Sequence, residues 1–210
     1  MAERGLKTVK AVRPGAICPP YRCGDVAGIF EEYERELAGK TFTDPCGEKV
    51  SFFDFNFTKL VQLQVTSVSA GGRFKAKSAR FLKEVRSGHF EEGNYTWDVN
   101  RAQTLFWIPD VIQNPDSIHP NCHIAIIGDR VYVKRYSKCG APYKLVFTVL
   151  ERSAKVRVVT TSFLVPEDRL MRFVRIPPIW EKERATPSGG LGRQPPDGPG
   201  QPFPAPPKPK

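Results

Sequence analysis

Apolar and polar positions divide the chain into a helical first half and a strand-rich second half. From Val26 to Leu37, Ile29, Phe30, Tyr33 and Leu37 recur at helical spacing, with Glu31, Glu32, Glu34 and Glu36 opposite them. Asp25 is placed to cap this helix and Gly39 to stop it. Lys40–Thr43 and Lys49–Phe53 alternate polar with apolar around Asp44-Pro45-Cys46-Gly47, the pattern of a hairpin. The aromatic run from Phe55 to Val61 fits a short helix or a strand, and its periodicity does not choose between them. Lys75–Arg86 reads as a helix, with Ala79, Phe81, Leu82 and Val85 inward, Lys77, Arg80, Lys83 and Arg86 outward, and Gly88 at its end. A further helix is expected from the cap Asp98 to Gln113, burying Ala102, Leu105, Phe106 and Ile108, with Pro109 either kinking it or starting a new turn at Ile108. Then the period changes to two. Ile124–Ile127, Val131–Tyr136, Lys144–Leu150 and Val156–Phe163 are rich in β-branched and aromatic residues and are joined by short connectors. Such connectors join only antiparallel neighbours, which predicts a four-stranded meander with helices packed on one face, an α+β domain over 25–180.

Composition changes this picture mainly at the ends. Residues 1–24 hold several Gly and Pro without periodicity and read as an irregular arm. From 181 to 210 the chain is dominated by Pro, Gly, Gln and Ala, too poor in apolar surface to fold, so a disordered tail is expected. That tail fits either a solubilising extension or a polyproline ligand. No run approaches the roughly 18–20 apolar residues of a membrane span, and the first residues lack a secretory core, which points to the cytoplasm and away from a membrane. Five cysteines, at 18, 23, 46, 122 and 139, lack the paired spacing of a zinc site and are expected to be reduced thiols. No cofactor is implied. The net charge of +10 favours a polyanionic partner, nucleic acid foremost, although a well-solvated surface carries similar charge.

The usual enzyme signatures are missing: no phosphate-binding Gly loop, no His-Glu-x-x-His and no Gly-x-Ser-x-Gly. His119 and His123 flank Pro120 and cannot share a helix face. Alternation along Val131–Tyr136 points Val131 and Val133 to the core, leaving Tyr132, Lys134 and Tyr136 on an open face. Either Thr160 or Thr161 joins them, according to register or a bulge. With Arg101 and the basic helix nearby, this row has the groups to hold a phosphodiester; an ordinary solvated sheet face has the same pattern. RNA cleavage needs no more than this, because the ribose 2′-hydroxyl is itself the nucleophile. The protein supplies proton transfer and charge stabilisation, work open to Tyr, Lys and Arg.

One ordered set of words adds to that reading. Asp98-Val-Asn-Arg101-Ala102-Gln-Thr-Leu-Phe-Trp107-Ile108-Pro-Asp110 leads into Asn114-Pro-Asp-Ser-Ile118, then Val131-Tyr132-Val-Lys134-Arg135-Tyr136, Lys144–Val149 and Val158-Val-Thr160-Thr161. Over residues 98–163 this order resembles the phage- and toxin-associated nucleases of the Barnase–EndoU–colicin–RelE superfamily. The resemblance implies helices against a four-stranded antiparallel sheet and metal-independent RNA cleavage. It places Arg101, Tyr132, Lys134 and Thr160 in the catalytic set. Members often carry a His in the helical half; here Phe57-Thr58-Lys59-Leu60 stands in its place, offering Lys59, with His89 as the other candidate. Lys77, Arg80, Arg135, Tyr136 and Thr161 are then candidate RNA contacts. The implied partners are RNA, tRNA or mRNA, and an acidic immunity or antitoxin protein. A non-catalytic nucleic-acid-binding or phage-accessory protein on the same scaffold is the alternative.

Overall fold

The computed structural model describes residues 19, 24–65, 74–124, 126–136, 143–151 and 156–182. The expected arm, apart from Pro19 and Gly24, and the tail beyond Lys182 lie outside the described residues. The chain is α+β. The helix α1 (Val26–Glu36) starts where Asp25 Oδ1 accepts from the Gly28 amide at 2.6 Å, satisfying one of the donors that a helix start leaves unpaired. Gly39, at φ 75°, then turns the chain in a conformation that costs a residue with a Cβ about 1–2 kcal/mol. The expected hairpin forms as β1 (Thr41–Thr43) and β2 (Lys49–Ser51), antiparallel with Phe42 opposite Val50. The aromatic run resolves as the helix α2 (Asn56–Leu60). It is followed by β3 (Gln64–Val65), α3 (Phe74–Arg86) and β4 (Tyr95–Thr96), with β3 and β4 forming a separate two-stranded ribbon.

Of the two forms expected over Asp98–Gln113, the structure has the new turn at Ile108 and not a single kinked helix. The stretch divides into α4 (Val99–Gln103), a 3₁₀ turn at Leu105–Trp107 and α5 (Ile108–Gln113). Proline explains the break: it has no amide proton for a helical bond, is tolerated in a first turn, and therefore starts α5. Beyond it run β5 (Ser117–Pro120), β6 (Arg130–Arg135), β7 (Tyr143–Glu151), β8 (Val156–Leu164), the single-turn α6 (Glu167–Leu170) and β9 (Trp180–Glu181).

The expected four-stranded meander is corrected in two ways. Ile124, Ile126 and Ile127 belong to no strand, and the strand beside β6 is Ser117–Pro120, with Ile118 opposite Tyr132. Asn121 explains this: its Nδ2 donates to the carbonyls of Ile126 at 2.9 Å and Gly128 at 2.7 Å, taking up acceptors that a strand pairing would need. Among the described residues the sheet also has seven strands, in the order β1-β2-β8-β7-β6-β5-β9, and the β2–β8 pair is parallel.

Both faces of β6 are covered. On one side α1 to α5 bury an aromatic core, in which Phe30 lies 5.0 Å from Phe57 and 5.4 Å from Phe81, each edge to face. Such pairs contribute about 0.5–1.5 kcal/mol each beyond burial. On the other, Val131 and Val133 pack in a small cluster with Val165 and Leu170, flanked by Ile126, Phe163 and Phe173. Tyr132 and Tyr136 belong to the larger core, so the expected orientation of β6 is inverted. With both faces of β6 covered, alternation alone carries no sign, and the aromatic rings go to the thicker layer. Among the described residues no helix is long and apolar enough to cross a membrane.

Candidate functional site

Two backbone tethers bring α2 and α4 together. The Asp98 amide donates to Val61 O at 2.9 Å, and the β3–β4 ribbon pairs Gln64 with Thr96. Asp98 then caps α4 by accepting from the Arg101 amide at 3.1 Å. Both helices contact β8, whose pairing with β2 involves only Arg157 and Val158. Where β2 runs out, Lys59 of α2 and Arg101 of α4 line a solvent-open cavity of about 520 Å³ with Gln62, Leu63, Gln64, Thr160 and Thr161. A contiguous lobe of about 330 Å³ shares Lys59, Gln62, Arg101, Thr160 and Thr161 and adds Ile126, Ile127 and Phe163.

A β-bulge supplies both threonines. Phe147 is opposite Thr161 but Thr148 is opposite Val159, so Thr160 is the extra residue in β8. The insertion breaks strict alternation, and both hydroxyl residues reach one cavity. Thr160 Oγ1 donates to Ile127 O at 2.6 Å, and Thr161 Oγ1 accepts from Arg101 Nη1 at 2.8 Å.

Arg101 is held from several directions. Its Nε lies 3.2 Å from Asp98 Oδ2, and its guanidinium carbon sits 5.0 Å from the centre of the Phe163 ring. With the Gln62 amide oriented by this network, its side-chain oxygen accepts from both terminal nitrogens of Arg101, each at 3.2 Å. Gln62 has φ 53°, in the left-handed region. The amides of Gln62 and Leu63 donate to Lys59 O and Thr58 O, the paired bonds of a Schellman helix end. Glycine is the usual occupant of that position. Sequence reasoning missed Gln62, Ile126, Ile127 and Phe163. The one local hint was α2 ending without a glycine.

Lys59 differs from the other cations here. Among the described residues no carboxylate lies within ion-pair distance of it, and burial pushes its pKa down. Burial also lowers the pKa of Arg101, against the opposing pull of Asp98. Among the described residues the cavity lining contains no carboxylate and no histidine. That composition suits an oxyanion bound by an ammonium, a guanidinium and an amide. No group of His, Cys, Asp or Glu placed to hold a metal occurs among the described residues.

The rest of the expected set is elsewhere. Tyr132 is fully buried, its hydroxyl donating to Asp44 at 2.7 Å, and burial and then Asp44 raise its pKa. Lys134 is 7 % exposed and donates to Asp110 Oδ1 at 2.6 Å, while the Tyr136 hydroxyl donates to Asp110 Oδ2 at 2.9 Å. Burial and then Asp110 raise the Tyr136 pKa as well. The expected convergence of Tyr132 and Lys134 on Arg101 is therefore corrected: buried Asp44 holds Tyr132 in the core, and partly exposed Asp110 holds Lys134. Arg80 pairs with Glu84 at 2.6 Å on α3, Arg135 faces Asp116 at 3.9 Å, and neither lines the cavity. His89 sits exposed beside Ser87. The Lys77 side chain lies outside the described residues.

No protein-family model, curated protein or solved structure matches the chain.

Proposed function

We propose that the chain is a metal-independent RNA endonuclease whose scissile phosphate occupies the Lys59–Arg101 cavity. One observation carries the reading: a half-buried ammonium, with no carboxylate partner among the described residues, faces the same solvent-open space as a firmly held guanidinium. In its amine form Lys59 accepts the proton of the ribose 2′-hydroxyl. The 2′-oxygen bonds to phosphorus as the bond to the 5′-oxygen breaks, leaving a 2′,3′-cyclic phosphate and a 5′-hydroxyl. Arg101 holds the non-bridging oxygens as charge accumulates, and the departing oxygen takes its proton from water. Tyr132 and Lys134 have no part in this scheme, in contrast to the role implied by the family resemblance.

Purified protein incubated with tRNA and total RNA in EDTA tests it. The expected products end in cyclic phosphate, and Lys59→Met lowers turnover at least a hundredfold. Binding survives in the variant, with a log–log salt slope about 0.7 shallower, as for the loss of one phosphate contact on a single strand. Intact RNA across protein doses sinks the cleavage reading.

A second reading is favoured by one feature of the lining. Among the described lining residues Lys59 is the one amine able to exchange a proton with substrate, and cleavage gains from two such groups. On this reading the cavity binds the phosphodiester without cutting it, and salt-sensitive binding without products is the outcome that selects it. In a toxin setting, an acidic protein placing carboxylates against Lys59 and Arg101 is the corresponding inhibitor.

A further inference from the structure

The smaller lobe has a wall that phosphate recognition does not use. Ile127 is 69 % exposed at the mouth of a cationic cavity, yet its backbone is pinned. Its carbonyl accepts from Thr160 Oγ1 at 2.6 Å, and Asn121 Nδ2 donates to the carbonyls on either side of it, those of Ile126 and Gly128. Ile126 turns into the small core while Ile127 stays outside, so the exposed apolar surface is a fixed feature of the loop. Next to it the Phe163 ring is braced edge-on by Phe173, 5.7 Å between centres, and carries the Arg101 guanidinium 5.0 Å from its own centre. Apolar side chains and guanidinium planes are the surfaces on which nucleobases settle once they leave a helix.

We propose that Ile126, Ile127 and Phe163 form a nucleobase subsite contiguous with the phosphate cradle, so that the cavity selects an unpaired nucleotide over a duplex. This rests on the phosphate reading of the Lys59–Arg101 cavity and adds the substrate class. The two lobes share five lining residues, so a phosphate held at Lys59 and Arg101 places its attached nucleoside beside the apolar wall. In an A-form duplex the phosphate reaches the cations, but the paired and stacked base cannot reach Ile127.

The test uses 2′-O-methyl oligonucleotides, which lack the attacking hydroxyl, so that binding is read without cleavage. Three probes of one length are compared by fluorescence anisotropy: a single strand, the same strand annealed to its complement, and a strand with abasic sugars at its centre. The wild type is expected to bind the intact single strand about fivefold or more above the other two. Ile127→Ser, at an exposed position, is expected to remove that preference while leaving abasic binding and the thermal midpoint unchanged. Equal affinity of the wild type for intact and abasic strands overturns the proposal, as does an Ile127→Ser protein that keeps the preference. Failure of the wild type to bind any of the three overturns the phosphate reading itself, a result distinct from loss of base selectivity alone.

Discussion

Gln62 holds an unusual balance between stability and position. A residue with a Cβ in the left-handed region costs about 1–2 kcal/mol, yet this one places its amide oxygen on both terminal nitrogens of Arg101. Gln62→Gly should therefore stabilise the fold by roughly 0.5–1 kcal/mol, after the glycine's own entropic penalty, and loosen Arg101. Gln62→Ala should loosen Arg101 without that gain. Paired denaturation and RNA-binding measurements check both, with affinity expected to fall in each variant and stability to rise only in the glycine one. A glycine variant that is less stable than wild type would mean that the turn needs the side chain more than it resents the backbone. Tyr132 is the opposite case. Alternation placed its side chain in solvent, whereas its ring fills the core and its hydroxyl satisfies a buried carboxylate. An amphipathic side chain suits either face, so its residue type could not decide which.

Among the elements, α5 is strapped to β6 by a polar triangle. Asp110 accepts from Lys134 and Tyr136, and the Lys134 ammonium lies 5.7 Å from the centre of the Tyr136 ring. Removing one member is not equivalent to removing another. Asp110→Ala leaves a buried ammonium and a buried phenol without their acceptor and should cost about 3 kcal/mol or more. Lys134→Met leaves a partly exposed carboxylate that still accepts from Tyr136 and should cost less than about 1 kcal/mol. Chemical denaturation of the two variants reads the difference, and equal losses would show that the ammonium contributes as much as its partner. α1, the β1–β2 hairpin and α3 were legible because each carries its own punctuation, an Asp cap or a Gly or Pro turn. The division of residues 98–113 was only half legible: proline marked the place, but whether it kinks or restarts a helix depends on what the flanking turns pack against.

For the molecule as a whole, the net charge of +10 gives a general attraction to polyanions, and the fold decides where that attraction can act. Arg130 and Arg157 are spent inside the protein, on Glu48 at 3.2 Å and on Asp129 at 2.7 Å respectively, whereas Lys59 is left facing the cavity. Burial lowers the Lys59 pKa below the usual lysine value of 10.5. Between that lowered value and 10.5 the unfolded chain binds the extra proton, so this group makes stability rise with pH across that window. Below the window the fold carries the full cost of a desolvated ammonium. Lys59→Met should therefore be more stable than wild type at neutral pH and lack that rise, as unfolding curves at several pH values would reveal. If Lys59 is the base, turnover climbs with pH to a plateau at the same lowered pKa, and a flat profile would remove it from that role. Local pattern by itself determined α1, α3, the hairpin, three of the strands and the candidates Arg101, Thr160 and Thr161, because capping, turn chemistry and side-chain period act over a few residues, while Lys59 entered through the family resemblance. Only the tertiary structure decided which face of β6 meets the helical layer, which strand pairs beside it, and that these four residues share one cavity without Tyr132 and Lys134. Those outcomes depend on layers packed from both sides of the sheet and on a one-residue bulge, and neither leaves a periodic trace in the chain.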